Sequence, residues 1–549
     1  SENKYLVCYY VASEEIKVSK LISYLLKHLP NYMIPAYFKK LDEIPLTPNG
    51  KIDRKSLPKI KDTTTIELAK TETEKIIVSS LSKILNTDKI DINTPFLTLG
   101  LDSLGLIQLQ TSLLAYNLNL TTQSFYRYPS VKRLAKRIDS HTEYYTEFNF
   151  QIPNQFKHAD NELAKDLKCD NSVLGNVLLT GANGFIGAHV LHELLKNTNS
   201  KIYCFVRGEN IPHSIQRLEE SYNYYFNESL EPYLNSRVLV YNAQITLTNF
   251  GLFSEQINDI CNNINTIIHT AAIVKHYGNF EQFKSANIDG TKMLAEFSYT
   301  NKKRLIHISS ISVSGNYLVR QDNQNVSFSE NDLYIGQHYT NNVYVNSKFD
   351  AEKIVYSFME KGLTAEVLRV GILAGRYEDG YFQKNIADNA FYSRIKSLID
   401  LKKVSQSMLE QEIEFTPVDL CARAIVLLAK TKDAENKVYH LYNHKLTSIK
   451  HVLTCLKKIG INIETISEKD FESYILKLSK DEKSRKTLKG IINDISFTDN
   501  NLSLDYGFTV NVSSKFTINT LAKLGFTWPE VDDLYLKKLL DHMRKVKFI

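Results

Sequence analysis

Tyr344 and Lys348 stand four residues apart in Tyr344-Val-Asn-Ser-Lys348, so on a helix both point to one face. A phenol and an ammonium at that spacing suit proton delivery to an oxygen that gains negative charge. When hydride adds to a carbonyl carbon, charge grows on the oxygen. A tyrosine hydroxyl can hydrogen-bond that oxygen and hand it a proton. A free tyrosine titrates near about 10; an ammonium at Lys348 would lower that value and would also hold a nicotinamide ribose. Ser310, closing the upstream run His307-Ile-Ser-Ser310, would be a second donor. Tyr344, Lys348 and Ser310 are the predicted catalytic set. On a solvated helix face the same pair would do nothing, so the reading requires a cofactor site beside it.

Thr180-Gly-Ala-Asn-Gly-Phe-Ile-Gly187 meets that requirement, because it follows an apolar strand and opens a predicted helix. Gly181 permits the tight turn, Gly184 lets backbone approach a pyrophosphate, and Gly187 lets the helix pack closely on the sheet. Thr180, Asn183, Phe185 and Ile186 complete the predicted cradle. The helix start offers N–H groups and a positive dipole end to phosphates. An NAD site carries an acid on the second strand, about twenty residues on. Here that strand ends in Phe205-Val-Arg207-Gly, and Arg217 comes within reach if the chain turns back. Guanidinium groups suit a 2′-phosphate, so NADPH is the expected cofactor.

The elements that must hold these residues alternate. Strands are predicted at 176–180, 201–206, 266–269 and from Arg304, with a helix over 186–195. That rhythm means a parallel, doubly wound sheet. After about Gly371 the pattern loosens into helices and loops, read as a smaller substrate-binding lobe. Residues 68–142 are mostly helical, with Ser103 opening a helix whose Leu106, Leu109 and Leu113 would face a bundle core. Residues 5–12 look strand-like, 18–29 have helical periodicity, and Asn49-Gly50 is a turn signal. Residues 61–65 form a polar, Thr-rich break. The segment 143–168 lacks periodicity yet holds Tyr144, Tyr145, Phe148, Phe150 and Phe156, and is predicted to lie pinned on a neighbouring domain.

The fold class is therefore multidomain: a small α/β subdomain, a four-helix carrier bundle, and a Rossmann-type sheet with a C-terminal helical lobe. The predicted divisions are 1–62, 68–142, a docked linker at 143–170, and 171–549. At 549 residues with 43% hydrophobic content, sizeable cores are expected. A net charge of +6 is too dilute for a nucleic-acid partner, and no apolar run could span a bilayer. Six dispersed cysteines form no CxxC pair, so neither a disulfide framework nor a metal site is expected, and a reducing cytoplasm fits best. The polar start without Met reads as a fragment of something longer.

Three stretches in order resemble the end of a nonribosomal peptide synthetase. Pro45-Leu-Thr-Pro-Asn-Gly-Lys51-Ile-Asp-Arg resembles the C-terminal subdomain of an adenylation domain, in which the lysine matching Lys51 contacts the acyl-adenylate. The large adenylation core is absent, so this chain is not expected to activate acids. Leu99-Gly-Leu-Asp-Ser103-Leu resembles the attachment sequence of carrier domains, which implies 4′-phosphopantetheine on Ser103. The glycine-rich turn, Tyr344 and Lys348, with Asn287-Ile-Asp-Gly-Thr291 and Arg369-Val-Gly-Ile, resemble the extended short-chain dehydrogenase/reductases, and among them the thioester reductase domains.

That resemblance adds Gln244, Ile245 and Ala271 to the cofactor set. Ala243-Gln-Ile245 stands where the family often has Gly-Asp-Leu, His269-Thr-Ala-Ala where it has His-Asn-Gly-Ala, and Ser310 where many relatives have Thr. It implies NADPH-dependent release of a carrier-bound peptidyl or aminoacyl thioester as an aldehyde, with alcohol as a further stage. Implied partners are upstream synthetase domains in cis and a phosphopantetheinyl transferase. The alternatives are a fragment of a carboxylic acid or α-aminoadipate reductase, or a redox-inactive cyclising release domain, which would lack Tyr344.

Overall fold

The computed structural model describes residues 6–14, 16, 21, 24–25, 35, 37–47, 52–54, 56–58, 67–101, 103–114, 116, 118, 120, 122–140, 150–158, 167, 169–275, 278–315, 326–337, 339–340, 342–480, 487–488, 490–491, 495–498, 501–504 and 510–549. These fall into two compact units, Ser1–Tyr144 with Tyr474–Leu488 and Ile495–Ser503, and Tyr145–Ser473 with Lys489–Asp494 and Leu504–Ile549.

In the first unit, strands β1 (Val7–Val11) and β2 (Tyr37–Leu41) pair in parallel. Leu46 and Ile52, on either side of the predicted Asn49-Gly50 turn, form an antiparallel bridge. The turn itself and the predicted 61–65 break lie outside the described residues, as does most of the 18–29 helix.

Four helices follow: α1 (Glu72–Leu85), α2 (Ser103–Leu114), α3 (Thr122–Arg127) and α4 (Val131–Asp139). Helix α1 starts where it does because Thr71 accepts from the Glu74 N–H (3.1 Å) while Glu74 accepts from the Thr71 N–H (3.1 Å), a reciprocal cap. It ends at Asn86, in the left-handed region at φ 51°. Leu106, Leu109 and Leu113, at helical spacing, are fully buried with Ile77, Leu81 and Phe125. Burial of each such side chain contributes about 2 kcal/mol.

The second unit is built on seven parallel strands: β3 (Val177–Thr180), β4 (Ile202–Val206), β5 (Val238–Asn242), β6 (Thr266–His269), β7 (Arg304–Ser310), β8 (Ala365–Val370) and β9 (Val438–Leu441). Their order across the sheet is β9-β8-β7-β6-β3-β4-β5. The chain winds outward from β3 to β5, returns to β6 on the other side of β3, and winds outward again. The switch point therefore falls between β3 and β6, where such sheets open a crevice beyond their carboxyl ends.

Both faces are covered. Helices α5 (Phe185–Asn197), α6 (Ile211–Phe226) and α9 (Val418–Ala429) bury apolar residues in the core on one side. On the other side lie α7 (Gly290–Thr300) and α8 (Val343–Met359). Coverage on both faces explains the unbroken apolar runs of β3 and β4, which are buried at every position.

The described part of the 143–168 segment, 150–158, lies along this unit. Ile152 and Phe156 are buried, the Phe150 ring stacks on Tyr356 (6.4 Å), and His158 stacks on Phe516 (3.6 Å). Tyr144, Tyr145 and Phe148 are outside the described residues.

One expectation is revised. The region after Gly371 is not a lobe alone: α9 packs on α5, and β9 pairs with β8 at the sheet edge. The chain leaves the sheet, forms helical lobe structure, re-enters the sheet layer, and leaves again. Among the described residues, no helix is long and apolar enough to cross a membrane.

Candidate active site

The glycine-rich turn joins β3 to α5 at the switch point. Gly181 has φ +74°, and a Cβ there would lie 2.7 Å from the Ala271 nitrogen. A Cβ on Gly187 would lie 2.0 Å from the Gly181 carbonyl oxygen, and one on Gly184 3.1 Å from the same atom. The turn is thus folded onto itself with no room for side chains. Gly184 is also the N-cap of α5 and brings no side chain to it, which leaves the first N–H groups of a 13-residue helix to a ligand.

A cleft of about 420 Å³ opens beside the turn, lined there by Asn183, Gly184 and Phe185 and opposite by Arg217 and Ser221 of α6. Backbone N–H groups, a glycine floor and a guanidinium fit the phosphates of a dinucleotide. Ile186, the next residue of α5, packs against the core beneath.

Beneath the turn a buried polar chain fixes its anchor points. Thr180 Oγ1 bonds His269 Nδ1 (2.8 Å), His269 Nε2 bonds Thr291 Oγ1 (3.1 Å), and Thr291 donates to the Asn287 carbonyl (2.6 Å). Burial pushes the His269 pKa down to about 3, so the ring is neutral and can bridge a donor and an acceptor. Asn287, in a π-helical turn (Lys284–Asp289), accepts from the Ile273 N–H (2.8 Å). Its amide donates to the Ile273 carbonyl (2.9 Å) and to Ser347 Oγ (2.8 Å). It therefore ties the segment after β6 to α8.

Helix α8 carries the predicted pair. Asn342 caps it, accepting from the Tyr344 N–H (2.9 Å) and the Val345 N–H (3.2 Å), which sets Tyr344 in the first turn. The half-buried Tyr344 hydroxyl is hydrogen-bonded to Ser310, at the carboxyl end of β7. Ser310 also accepts from the Ser312 N–H (3.2 Å), which orients its hydroxyl. Lys348 is buried and donates to the Ile308 carbonyl (2.8 Å).

Burial pushes the Lys348 pKa down to about 8, with Glu352 opposing. Burial raises the Tyr344 pKa, with the Ser310 hydrogen bond opposing. The expected depression of the phenol is thus reversed: the Lys348 ammonium is directed to the Ile308 carbonyl, and desolvation of a would-be phenolate dominates.

Glu352, one turn beyond Lys348, is held by Arg369 of β8 (2.8 Å), Ser309 of β7 (2.5 Å) and Tyr356 (3.0 Å), all buried. This cluster locks α8 onto the two strands that flank the reaction centre.

Two family models match the chain. The phosphopantetheine attachment site matches residues 75–138, and the NAD-binding male sterility protein family matches 179–425. A solved thiolation-reductase di-domain from an archaeal non-ribosomal peptide synthetase superposes with a TM-score of 0.71 at 28% identity, covering 88% of this chain and 99% of that one. The chain thus pairs a carrier domain with an NAD-binding reductase domain, in the order of that thiolation-reductase di-domain.

A linear gramicidin synthase of Brevibacillus parabrevis is 26% identical to this carrier–reductase pair over 560 residues, 99% of the chain and 11% of the relative. The L-2-aminoadipate reductase of Candida glabrata, in its large subunit, is 24% identical over 523 residues, 86% of the chain and 38% of the relative. The chain thus spans well under half of either relative.

In the reductase, Arg207 is exposed at the carboxyl end of β4, and the Arg217 guanidinium donates to its carbonyl, so the two basic residues do meet. Ala271 borders Gly181. Gln244 turns its amide to Thr246 (2.6 Å), and Ile245 packs on Gly290.

In the carrier, Ser103 is the first residue of α2; its side chain, and all of Lys51, lie outside the described residues. The side-chain contacts of Glu352, Ser309 and Asn287 under α8 are not predicted by the sequence. Two signals were available, the arginine inside the apolar strand 365–370 and the glutamate one turn past Lys348.

Proposed function

We propose that this chain reductively releases an acyl or peptidyl thioester carried on Ser103, using NADPH and yielding an aldehyde. The observation that carries the proposal is the hydrogen bond between Tyr344 and Ser310, at the carboxyl end of β7, two strands from β3, whose own carboxyl end opens the glycine turn. A bound nicotinamide supplies hydride to the thioester carbon, and the phosphopantetheine arm presents that carbon. Ser310 and Tyr344 are two convergent donors for the carbonyl oxygen as it gains charge. Tyr344, kept protonated at working pH by its raised pKa, gives the oxygen a proton; the C–S bond of the adduct then breaks, the carbonyl re-forms as the aldehyde, and the thiol of the arm leaves carrying that proton. Lys348, charged below pH about 8, offsets the negative charge left on the phenol.

Arg207 at the end of β4, with Arg217 of α6 donating to its carbonyl, supports NADPH over NADH, because guanidinium groups suit a 2′-phosphate. The carrier domain implies upstream synthetase domains in cis and a phosphopantetheinyl transferase that loads Ser103. Six unpaired cysteines support a reducing, cytoplasmic setting.

The test is single-turnover release from chain loaded at Ser103, measuring NADPH consumed and aldehyde formed. Wild type yields one aldehyde per NADPH. Y344F, which keeps the ring and loses the proton, falls by roughly 100-fold or more. Release by Y344F at the wild-type rate would remove the acid role and the proposal with it.

A further inference from the structure

The cleft beside the glycine turn has a second wall that the dinucleotide-binding half does not supply. Gln383, Lys384 and Asn385, downstream of β8, face Asn183, Gly184 and Phe185 across it. Their segment is held from both sides. Phe382 is fully buried, stacks on Tyr392 (4.1 Å) and meets Phe185 edge-on (4.9 Å). The Tyr224 hydroxyl of α6 donates to the Phe382 carbonyl (3.4 Å), and the Lys384 ammonium lies over the Tyr224 ring (4.9 Å). Lys384 is exposed, yet its backbone neighbour is anchored to the turn, to α6 and to the lobe at once.

The charges in the cleft favour an anion. Arg217 and Lys384 both line the cleft together with the first residues of α5, whose N–H groups have no side-chain cap. A carboxylate in the lining, Glu220, accepts from the Gln216 amide (2.9 Å). Arg207, the residue assigned to the 2′-phosphate, is not part of the lining. Arg217, which donates to the Arg207 carbonyl, does line it, so the cleft joins the place of that phosphate to the start of α5; the turn residues that share the lining with Lys384, Asn183, Gly184 and Phe185, point to the pyrophosphate.

We propose that Lys384 is a cofactor-binding residue, a cation from beyond β8 that closes on the pyrophosphate opposite the glycine turn. The assignment rests on the dinucleotide reading of the turn. It goes further by making the segment 382–385 part of the cofactor site, so that an occupant of the cleft bridges the two halves of the reductase.

The experiment is equilibrium titration of the full chain with NADPH and with NADH, followed by nicotinamide fluorescence, with no thioester present. K384Q weakens both cofactors by a similar factor, roughly tenfold. The weakening shrinks as salt rises, and K384R retains most of the affinity. R207A, by contrast, weakens NADPH far more than NADH. Unchanged binding in K384Q, or a loss confined to NADPH, overturns the pyrophosphate assignment while leaving the site itself intact. Failure of the wild-type chain to bind either cofactor overturns the dinucleotide reading instead. An unchanged thermal midpoint for unliganded K384Q shows that the effect is on binding rather than on folding.

Discussion

Lys348 sits where two opposing effects meet. Burial favours its neutral form and holds the pKa down to about 8, while the Glu352 carboxylate one turn on favours the charged form. Glu352 is itself kept by Arg369, Ser309 and Tyr356, so none of these charges is left without a partner. If the charged lysine serves the reaction, rate is retained below pH about 8 and falls as pH rises through that value. E352Q removes the negative neighbour, so the lysine loses its proton at lower pH and the alkaline limb of the kcat profile moves toward acid. The same variant leaves Arg369 buried without its counter-charge and costs about 3 kcal/mol of stability. A pH–rate profile of folded E352Q checks this; an alkaline limb at the wild-type position would separate Glu352 from the chemistry. The sequence made Tyr344, Lys348 and Ser310 legible because helix spacing and a strand end are local signals. Glu352 meets Arg369 from 17 residues away and Ser309 from 43, and no local pattern encodes such a meeting.

At the scale of elements, most of the sheet was readable, because strands buried on both faces appear as apolar runs closed by a glycine turn or a polar break. Strand β9 was not. Val438-Tyr-His-Leu441 is four residues long and carries a buried histidine whose Nδ1 bonds the Ser513 carbonyl (2.7 Å). A polar residue satisfied by a distant segment erases the apolar signature, and the region was read as lobe. The turn after β3 shows the opposite case, where residue type alone dictated the geometry. Gly187 has no space for a methyl group: its Cβ would fall 2.0 Å from Gly181 oxygen and 2.8 Å from Thr270 Oγ1. Backbone cannot yield as a flexible side chain does, so G187A must push α5 away from β3. The expected cost is about 2 kcal/mol of reductase stability, together with weakened NADPH binding, since the N–H groups at the start of α5 are displaced. Denaturant unfolding and a cofactor titration on the same sample check both halves.

For the whole molecule, the consequence of joining a carrier to a reductase is arithmetic. A substrate tethered in the same chain by its arm meets the reductase at an effective concentration in the millimolar range, whatever the strength of any contact between the two. A free acyl-pantetheine thioester has only its bulk concentration. Ser310, Tyr344, Lys348 and the glycine turn all lie in the second unit and owe nothing to Ser103. S103A is therefore expected to abolish release from the carrier completely while leaving kcat for a free acyl-pantetheine thioester unchanged. With that free substrate held near about 10 μM, well below the tethered concentration, turnover in both wild type and S103A runs roughly 100-fold slower than release from loaded wild-type chain. Measuring the three rates side by side separates tethering from chemistry. Equal rates for free and carried substrate would mean that the arm adds no proximity. A fall in kcat for the free thioester in S103A would mean that the carrier helps shape the active site.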